Sequence, residues 1–405
     1  MGRLSRAELQ EHNRAKVLAA ARDEFAERGF RDAKVDGIAE RAGLTRGAVY
    51  SNFPGKRALY FAVLAGLAER ESMSDAELSS EPLPESVPGA ARGTAPEVVV
   101  RTTREALGAL ARAWVARLPL ADTDEEQGPA RLGMHVMPEV LAEGRIRRPF
   151  AQLMKLDAIL LGLALERLQP SEWHDGSDGS DGHDAHDGSD GSGSQVRVAE
   201  AALTTLHGAS RLAAVAPGFV EPFNVVSAVE QLAGLVLDDW WPPSHVITEA
   251  WPTDEPWDPP RVRDAVRGGP ARLTDDGVVA FLGLHRIDAV EEAVRAAPAG
   301  ARITAVLVTG DPAELAPLAR LTVADLCNCL REAFPPSAWP RLQVVFDESG
   351  AFAATAGLPA VSDATEAAVR VEAGRIVARA DGRGACHAAA SAEVAAPAVS
   401  ADGPG

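Results

Sequence analysis

The sequence predicts a multi-domain protein in which an all-α portion, reaching to about residue 243, precedes an α/β domain at residues 271–386. Two observations carry this prediction. Before Trp240, apolar residues recur every three or four positions, which is typical of amphipathic helices. After a proline- and tryptophan-rich stretch, short apolar runs alternate with helix-like segments, as in domains that mix strands and helices. At 405 residues the chain is also too long for one ordinary domain.

The first 70 residues are predicted to contain a helix-turn-helix. A first helix has an apolar face from Val17 to Phe25 and is expected to end at Gly29, because glycine is favoured just beyond a helix C-terminus. A short second helix, Val35 to Ala42, has the same apolar spacing and is broken by Gly43. A third short helix follows after a turn of three residues, Gly43 to Thr45, and this is the arrangement that places one helix in the major groove of DNA.

The third predicted helix runs from Arg46 to Phe53, with Thr45 as its N-terminal cap. Val49 and Phe53 are four residues apart and are expected to face the core. Gly47 lowers helix stability, but without a side chain it allows close approach to DNA. The residues predicted to contact DNA are Lys34, Thr45, Arg46, Gly47, Tyr50, Ser51, Asn52 and Lys56.

The charge distribution agrees with a nucleic-acid partner at the N-terminal end. Residues 1–70 carry 13 Lys and Arg against 9 Asp and Glu, a net charge of +4. The whole chain has a net charge of −18, so the remainder carries −22. A basic module on an acidic body is expected where one end meets phosphate groups and the rest does not.

The stretches Arg14–Phe30 and Val35–Lys56 resemble the first helix and the helix-turn-helix of the TetR/AcrR family of transcriptional regulators. This resemblance implies a homodimeric repressor that binds double-stranded operator DNA and is released by a small-molecule effector. It also implies that two helices, Ala201–Ala216 and Val225–Trp240, pair in the dimer. The family usually has Ser or Thr at the position of Lys34. Lysine cannot cap a helix N-terminus. It can reach a phosphate as a cation, so DNA binding is expected to survive with an altered salt dependence.

The predicted domains are a DNA-binding domain at 1–70 and a helical effector-binding and dimerisation domain at 71–243. A Gly/Ser/Asp-rich insert at 174–194 is predicted to be disordered, since such a tract cannot bury apolar surface. In the helical domain, His135, His207, Trp114 and Phe150 are candidates for the effector pocket or for ordinary core positions. No metal site or cofactor is expected.

Residues 244–270 are predicted to be a linker, 271–386 the α/β domain and 387–405 a loose tail. The strands are expected at 278–284, 303–308, 342–346, 367–371 and 376–378. Their order with the intervening helices resembles the thioredoxin-like fold of peroxiredoxins. That fold requires a cysteine after its first strand, but His285-Arg286-Ile287-Asp288 stands there, so the domain is expected not to be an enzyme.

The three cysteines define the alternative hypothesis, a thiol-based redox sensor or redox enzyme fused to a DNA-binding domain. Cys327 and Cys329 are predicted to be buried in a helix, and Cys386 to lie in the mobile tail. None is placed where a thiolate would be stabilised. A third possibility is that the C-terminal α/β domain is an interaction module or an effector cap. With no apolar run long enough for a membrane span, the protein is expected in the cytoplasm.

Overall fold

The computed structural model describes residues 5–78, 102–118, 132–133, 143–168, 194–235, 237 and 248–392. The chain divides into two compact units. Unit 1 consists of residues 1–144, 154–241 and 317–340, and unit 2 of residues 145–153, 242–316 and 341–405. Some predicted features lie outside the described residues, namely nearly all of the insert at 174–194, His135, and the tail beyond residue 392.

Twelve α-helices and six strands are present among the described residues. The helices are α1 (Arg6–Asp32), α2 (Val35–Ala42), α3 (Arg46–Tyr50), α4 (Lys56–Leu78), α5 (Thr103–Val115), α6 (Gly144–Glu166), α7 (Val196–Val215), α8 (Pro222–Gln231), α9 (Ala289–Ala296), α10 (Pro312–Ala333), α11 (Ala351–Thr355) and α12 (Ala385–Ser391). The strands are β1 (Trp251–Pro256), β2 (Gly277–Gly283), β3 (Arg302–Val308), β4 (Gln343–Phe346), β5 (Glu366–Glu372) and β6 (Arg375–Asp381). No helix in the described ranges has both the length and the hydropathy needed to cross a membrane.

Helix α1 begins with a capping box, in which the Ser5 hydroxyl accepts from the Glu8 amide and the Glu8 carboxylate accepts from the Ser5 amide. Gly29 has φ 68°, so the regular helix stops where the sequence predicts, and a further short turn continues to Asp32. Phe25, Phe30 and Tyr60 form an aromatic cluster, with ring centroids between 4.7 and 6.0 Å apart. This cluster fixes α1 against α4.

The two helices predicted to pair in a dimer differ from their expected lengths. Helix α7 begins five residues before the predicted start at Ala201 and ends at Val215. The predicted helix Val225–Trp240 is wrong in its C-terminal part, because α8 ends at Gln231 and is followed by a single 3₁₀ turn at 232–234. Gly234 and the extended backbone at Leu235 end the helical pattern, as the low helix propensity of glycine favours.

Unit 2 is built on one six-stranded sheet with the order β1-β6-β5-β2-β3-β4. Strands β2, β3 and β4 are parallel, whereas β5 and β6 form an antiparallel hairpin beside β2. The five strands predicted from the sequence are thereby confirmed, with each end within three residues of its predicted position. Phe281, Val306 and Val369 belong to the apolar core that covers the sheet.

The predicted linker at 244–270 is wrong over much of its length. Residues Trp251–Pro256 form edge strand β1, which pairs antiparallel with β6. Trp257 is buried, donates its indole N–H to the Leu273 carbonyl at 2.8 Å, and packs near Phe352. The prolines of β1 are compatible with an edge strand, which needs hydrogen bonds on one side only. The segment therefore belongs to the sheet domain.

The loose tail predicted from residue 387 is also wrong in its first part. Residues 385–391 form α12, which contacts β5, β6 and α9. Cys386, predicted to be in a mobile segment, has 0% of its surface exposed. The alanines that suggested low complexity are the small residues that let this helix lie close to the sheet.

The predicted α/β domain at 271–386 does not form one unit, since residues 317–340 group with the helical unit. Within unit 1, the Asn328 side-chain amide donates to the Ala68 carbonyl of α4 at 3.0 Å. Arg320 and Glu69 form an ion pair at 3.4 Å. Helix α10 thus supplies part of the packing of α4.

Candidate nucleic-acid interface

The turn between α2 and α3 has the geometry of a helix-turn-helix. Gly43 adopts φ 65° and ψ 33°, and its amide donates to the carbonyls of the last turn of α2. The Leu44 amide bonds the Ala39 carbonyl at 2.9 Å. The Thr45 hydroxyl accepts from the Ala48 amide at 3.2 Å, which confirms the predicted cap of α3.

The inner face of this motif is apolar, as the sequence predicts. Val49 and Phe53 are each 2% exposed and lie in the same core as Val17, Ala21 and Ile38. The predicted orientation of the third helix is therefore confirmed. Its regular part is shorter than expected, because α3 ends at Tyr50 and Phe53 follows in a turn.

The opposite face of α3 is polar and open to solvent. Its exposed residues are Thr45, Arg46, Gly47, Tyr50 and Ser51, and Asn52 is half-buried. A Cβ atom placed on Gly47 would meet only the Thr45 hydroxyl, at 3.9 Å. No contact within the described residues therefore requires glycine at this position, and close approach of DNA to Gly47 stays a prediction.

Arg46 and Tyr50 form a pair on the exposed face. The Arg46 guanidinium lies 5.5 Å from the Tyr50 ring centroid and 3.5 Å from its hydroxyl. On the other side Arg46 meets the Asp36 carboxylate at 3.4 Å. The Tyr50 hydroxyl, and then Asp36, raise the pKa of the Arg46 guanidinium, which stays charged. Both partners are exposed, so the cation can exchange them for a phosphate or a guanine edge.

Ser51 and Asn52 bond the protein's own backbone. The Ser51 hydroxyl donates to the Ala48 carbonyl at 2.9 Å, and the Asn52 amide donates to the same carbonyl at 2.8 Å. These bonds satisfy a carbonyl at the C-terminus of α3 that would otherwise lack a helical partner. DNA contacts by these two residues stay predictions, and they would use the remaining donor and acceptor capacity.

The two predicted lysine contacts differ in their surroundings. Lys34 is exposed at the N-cap of α2 and makes no side-chain capping bond, as expected for lysine. The Lys56 ammonium instead donates to the carbonyls of Phe30, Arg31 and Ala33 at 2.8–3.2 Å and lies 4.6 Å from the Phe30 ring centroid. Lys56 therefore closes the C-terminal end of α1, a structural role that the sequence analysis missed.

An ion cluster centred on buried Glu24, which joins α1 to α2, was also missed. Glu24 is 3% exposed and pairs with Arg28 and Arg41, each at 3.2 Å, while Arg41 also binds Glu27 at 2.7 Å. A Cβ atom at Gly37 would lie 2.9 Å from the Glu24 carboxylate, so glycine makes room for it. The i, i+4 spacing of Glu24 and Arg28 is the sequence pattern that could have indicated this ion cluster.

The described part of the chain has no activated thiol. Cys327 and Cys329 belong to unit 1 and Cys386 to unit 2; none forms a disulfide, and each is at most 1% exposed. Burial raises the pKa of Cys329 to about 12 and raises that of Cys386 well above its ordinary value. After β2, where the resemblance requires a cysteine, Arg286 pairs with buried Glu366. Cys329 and Cys386 are therefore protonated at neutral pH, and burial shields all three thiols from reagents.

In the helical unit, Trp114 and His207 form a ring pair suited to a ligand pocket or to a core. The Trp114 and His207 rings are 4.9 Å apart, and the Trp114 indole donates to the Ser210 hydroxyl at 2.9 Å. His207 Nε2 is buried without a hydrogen-bond partner among the described residues, and burial lowers the pKa of this histidine to about 4. No group of three or more His, Cys, Asp or Glu in the described ranges is arranged to hold a metal ion.

A helix-turn-helix with a polar outer face defines the class of the N-terminal region as a DNA-binding domain. Residues 17–63 match the family described as "Bacterial regulatory proteins, tetR family". This match confirms, for the segment, the resemblance read from the sequence.

Curated relatives match the same region. The HTH-type transcriptional regulator SrpR of Pseudomonas putida is 46% identical over 65 residues, covering 16% of this chain and 30% of the relative. The uncharacterized HTH-type transcriptional regulator TtgW of Pseudomonas putida is 46% identical over 65 residues, 16% of this chain and 48% of the relative. The chain thus spans less than half the length of either relative.

Among solved structures, the fatty acid degradation regulator FadR from Bacillus halodurans aligns with 56% of this chain and 97% of its own length. The sequence identity is 15% and the TM-score 0.30.

Proposed function

We propose that this chain is a transcriptional regulator that binds double-stranded operator DNA through α3. The observation that carries the proposal is the exposed face of α3 in a segment of the tetR family. There Arg46 and Tyr50 flank Gly47, whose Cβ position is open. The guanidinium supplies a cation for phosphate or guanine, and the glycine permits close contact with the groove. We infer that the protein acts as a repressor and is located in the cytoplasm.

We further propose that the protein binds DNA as a homodimer through the end of α7 and the start of α8. Large apolar side chains are exposed there, with Val215 at 67%, Phe219 at 71% and Phe223 at 80%. Leu212, Leu235 and Leu237, near these residues in sequence, are exposed as well. Clustered exposure of this kind is uncommon on a monomer and supports an interface between two copies of the chain.

The sheet domain is proposed to be a catalytically silent thioredoxin-like module. Its support is the order of elements, with parallel β2 and β3 joined through α9, and the β5-β6 hairpin on the other side of β2. The redox-sensor alternative requires a reactive thiol, and the buried cysteines of the described residues oppose it.

The test is selection of bound sequences from a random DNA pool by the full chain, followed by affinity measurements on the enriched site. A dimer predicts two inverted half-sites whose centres lie about one helical turn or a multiple of it apart. Arg46→Ala is expected to weaken binding to the selected site and to reduce the magnitude of the salt slope by about one unit. No enriched sequence, or equal binding by Arg46→Ala, would contradict the proposal.

The dimer is tested separately by sedimentation. Phe223→Glu places a charge on the apolar surface and is expected to convert the dimer to a monomer. The helix should remain intact, because the side chain is 80% exposed in the single chain. A dimer of unchanged stability in this variant would place the interface elsewhere.

A further inference from the structure

An acidic side chain lies beside the polar face of α3 that we assign to DNA. Asp36 is the second residue of α2, and its side chain is 67% exposed. One of its carboxylate oxygens lies 3.4 Å from the guanidinium of Arg46, the first residue of α3. Phosphate groups repel a carboxylate, so Asp36 lowers the affinity of this face for DNA in general. Its presence is favourable in a complex only if a hydrogen-bond donor on the DNA offsets that repulsion.

The position of Asp36 within α2 explains its presence only in part. A carboxylate in the first turn of a helix interacts favourably with the helix dipole, and Lys34 at the N-cap makes no capping bond. This interaction does not require Asp36 to meet a cation of another helix. The ion pair with Arg46 brings the carboxylate to the N-terminal end of α3. In a helix-turn-helix, the N-terminal residues of the second helix are the ones that contact base edges.

A carboxylate can only accept hydrogen bonds, and this restricts the bases that Asp36 can contact. In the major groove guanine presents two acceptors, and thymine presents one acceptor beside a methyl group. Adenine presents a donor next to an acceptor, whereas cytosine presents its N4 amino group as a donor alone. Cytosine is therefore the base whose major-groove edge suits Asp36 best.

Arg46 has the opposite preference, because a guanidinium can only donate and matches the O6 and N7 acceptors of guanine. Its two terminal nitrogens are held from different sides, one by Asp36 at 3.4 Å and the other by the Tyr50 hydroxyl at 3.5 Å. The ion pair thus presents donors next to an acceptor. The major-groove edge of a G·C pair presents acceptors next to a donor, so the two are complementary.

We propose that Asp36 is a specificity-determining residue, which accepts a hydrogen bond from the cytosine of a G·C pair whose guanine is bound by Arg46. The inference rests on the proposed function and names the base pair that the N-terminal end of α3 recognises. In the free protein the two side chains bond each other. In the complex each also meets a base of matching polarity, and the contacts made in the free protein reduce the ordering that binding requires.

The first test compares the sites that the parent, Arg46→Ala and Asp36→Ala select from a random DNA pool, each as the full chain. We expect one G·C pair in each half-site of the parent's selected sequence, and both variants should lose the preference for that same pair. Replacing it by A·T should weaken binding of the parent about 5- to 150-fold, the usual effect of one mismatched base pair. The same replacement should have a much smaller effect on Asp36→Ala.

A modified base then separates the hydrogen bond from the charge. N4-methylcytosine still pairs with guanine, but its methyl group replaces the amino hydrogen that faces the major groove. In the selected site it should weaken binding of the parent and leave that of Asp36→Ala nearly unchanged. Equal losses in the two proteins would overturn the inference. Unchanged affinity of the parent for the modified site would overturn it as well, whatever the stability of the variant.

The matched control is Glu40→Gln, which removes the same charge from an exposed carboxylate one turn further along α2. Its selected sequence and its response to the modified base should match the parent's. Loss of the G·C preference in this control would assign the effect to net charge and overturn the inference. Because Asp36 is exposed, Asp36→Ala should fold, and thermal unfolding of the same preparations checks this.

Selection with the parent also separates this inference from the proposed function. A selected site in which no G·C pair depends on Arg46 and Asp36 would remove this contact and leave the regulator. If no site is selected, the regulator fails and this inference fails with it.

Discussion

Substituting Gly47 by alanine should separate DNA binding from folding. The added Cβ would meet only the Thr45 hydroxyl at 3.9 Å, an ordinary contact, so no strain is expected in the protein. Alanine is more favourable than glycine in a helix by up to about 1 kcal/mol, and the melting temperature should stay equal or rise. In the complex, an extra methyl group between α3 and the groove should make the binding free energy less favourable by about 1–3 kcal/mol, as overpacking does in a close-packed interior. Operator affinity would then fall roughly 5- to 150-fold.

The assay is fluorescence anisotropy with the selected operator at fixed salt, beside thermal unfolding of the same preparations. Gly66→Ala is the matched control, because Gly66 lies in α4 and nothing stands within 4 Å of its Cβ position. It makes the same change in helix propensity away from α3 and should leave affinity unchanged. Operator affinity equal to the parent's in Gly47→Ala, with stability maintained, would refute the reasoning that α3 approaches DNA closely at this residue.

Further variants test the other residues of the interface, the buried His207 and the buried cysteines. Lys56→Met should lower the free energy of unfolding by about 1.5–3 kcal/mol, because it removes the hydrogen bonds of a charged group at the end of α1. Lys34→Met removes the same charge from a side chain that makes no capping bond. It should leave thermal stability nearly unchanged while reducing the magnitude of the salt slope of operator binding by about one unit. Equal melting temperatures in the two variants would contradict this account. Tyr50→Phe should weaken operator binding by about 2- to 13-fold at constant stability, as for one lost hydrogen bond, and undiminished affinity would exclude its hydroxyl from the interface. Burial lowers the pKa of His207 to about 4, below the value of 6.5 in the unfolded chain, so the unfolded state binds more protons between these pH values. The free energy of unfolding should therefore fall as pH falls from about 6.5 to about 4, less steeply in His207→Leu, and identical pH profiles of the two proteins would exclude this histidine as a cause. Mild peroxide should leave operator affinity unchanged in the parent and in the triple Cys→Ser variant, because the thiols are buried. Release of the operator from the parent alone would favour a thiol sensor.

The helix-turn-helix could be predicted from the sequence because each of its features is local. The cap at Thr45, the left-handed Gly43 and the pair Val49 and Phe53 depend on residues a few positions apart, and the structure has all of them. The role of Lys56 could not be predicted in this way. Its hydrogen-bond acceptors are 23 to 26 residues away, and they become available only when α1 ends beside the start of α4.

Sequence-based prediction meets the same limit at the edge of the sheet domain. Strands β2 and β3 are continuous apolar runs, which is typical of parallel strands buried on both faces, and both were predicted. Strand β1 contains two prolines and is exposed along most of its length, so its sequence favours a linker. Only pairing with β6 makes it a strand, and pairing is a property of two distant segments.

The placement of residues 317–340 depends on packing between elements far apart in the chain. The sequence of α10 is that of an ordinary amphipathic helix within a sheet domain. No local feature of this sequence indicates that the two ends of the helix belong to different units. Yet the Asn328 side chain donates to a carbonyl 260 residues away. The segment that completes the helical unit therefore comes from beyond the first strands of the sheet. A chain truncated after residue 241 should lose this hydrogen bond to α4 while retaining its helix-turn-helix.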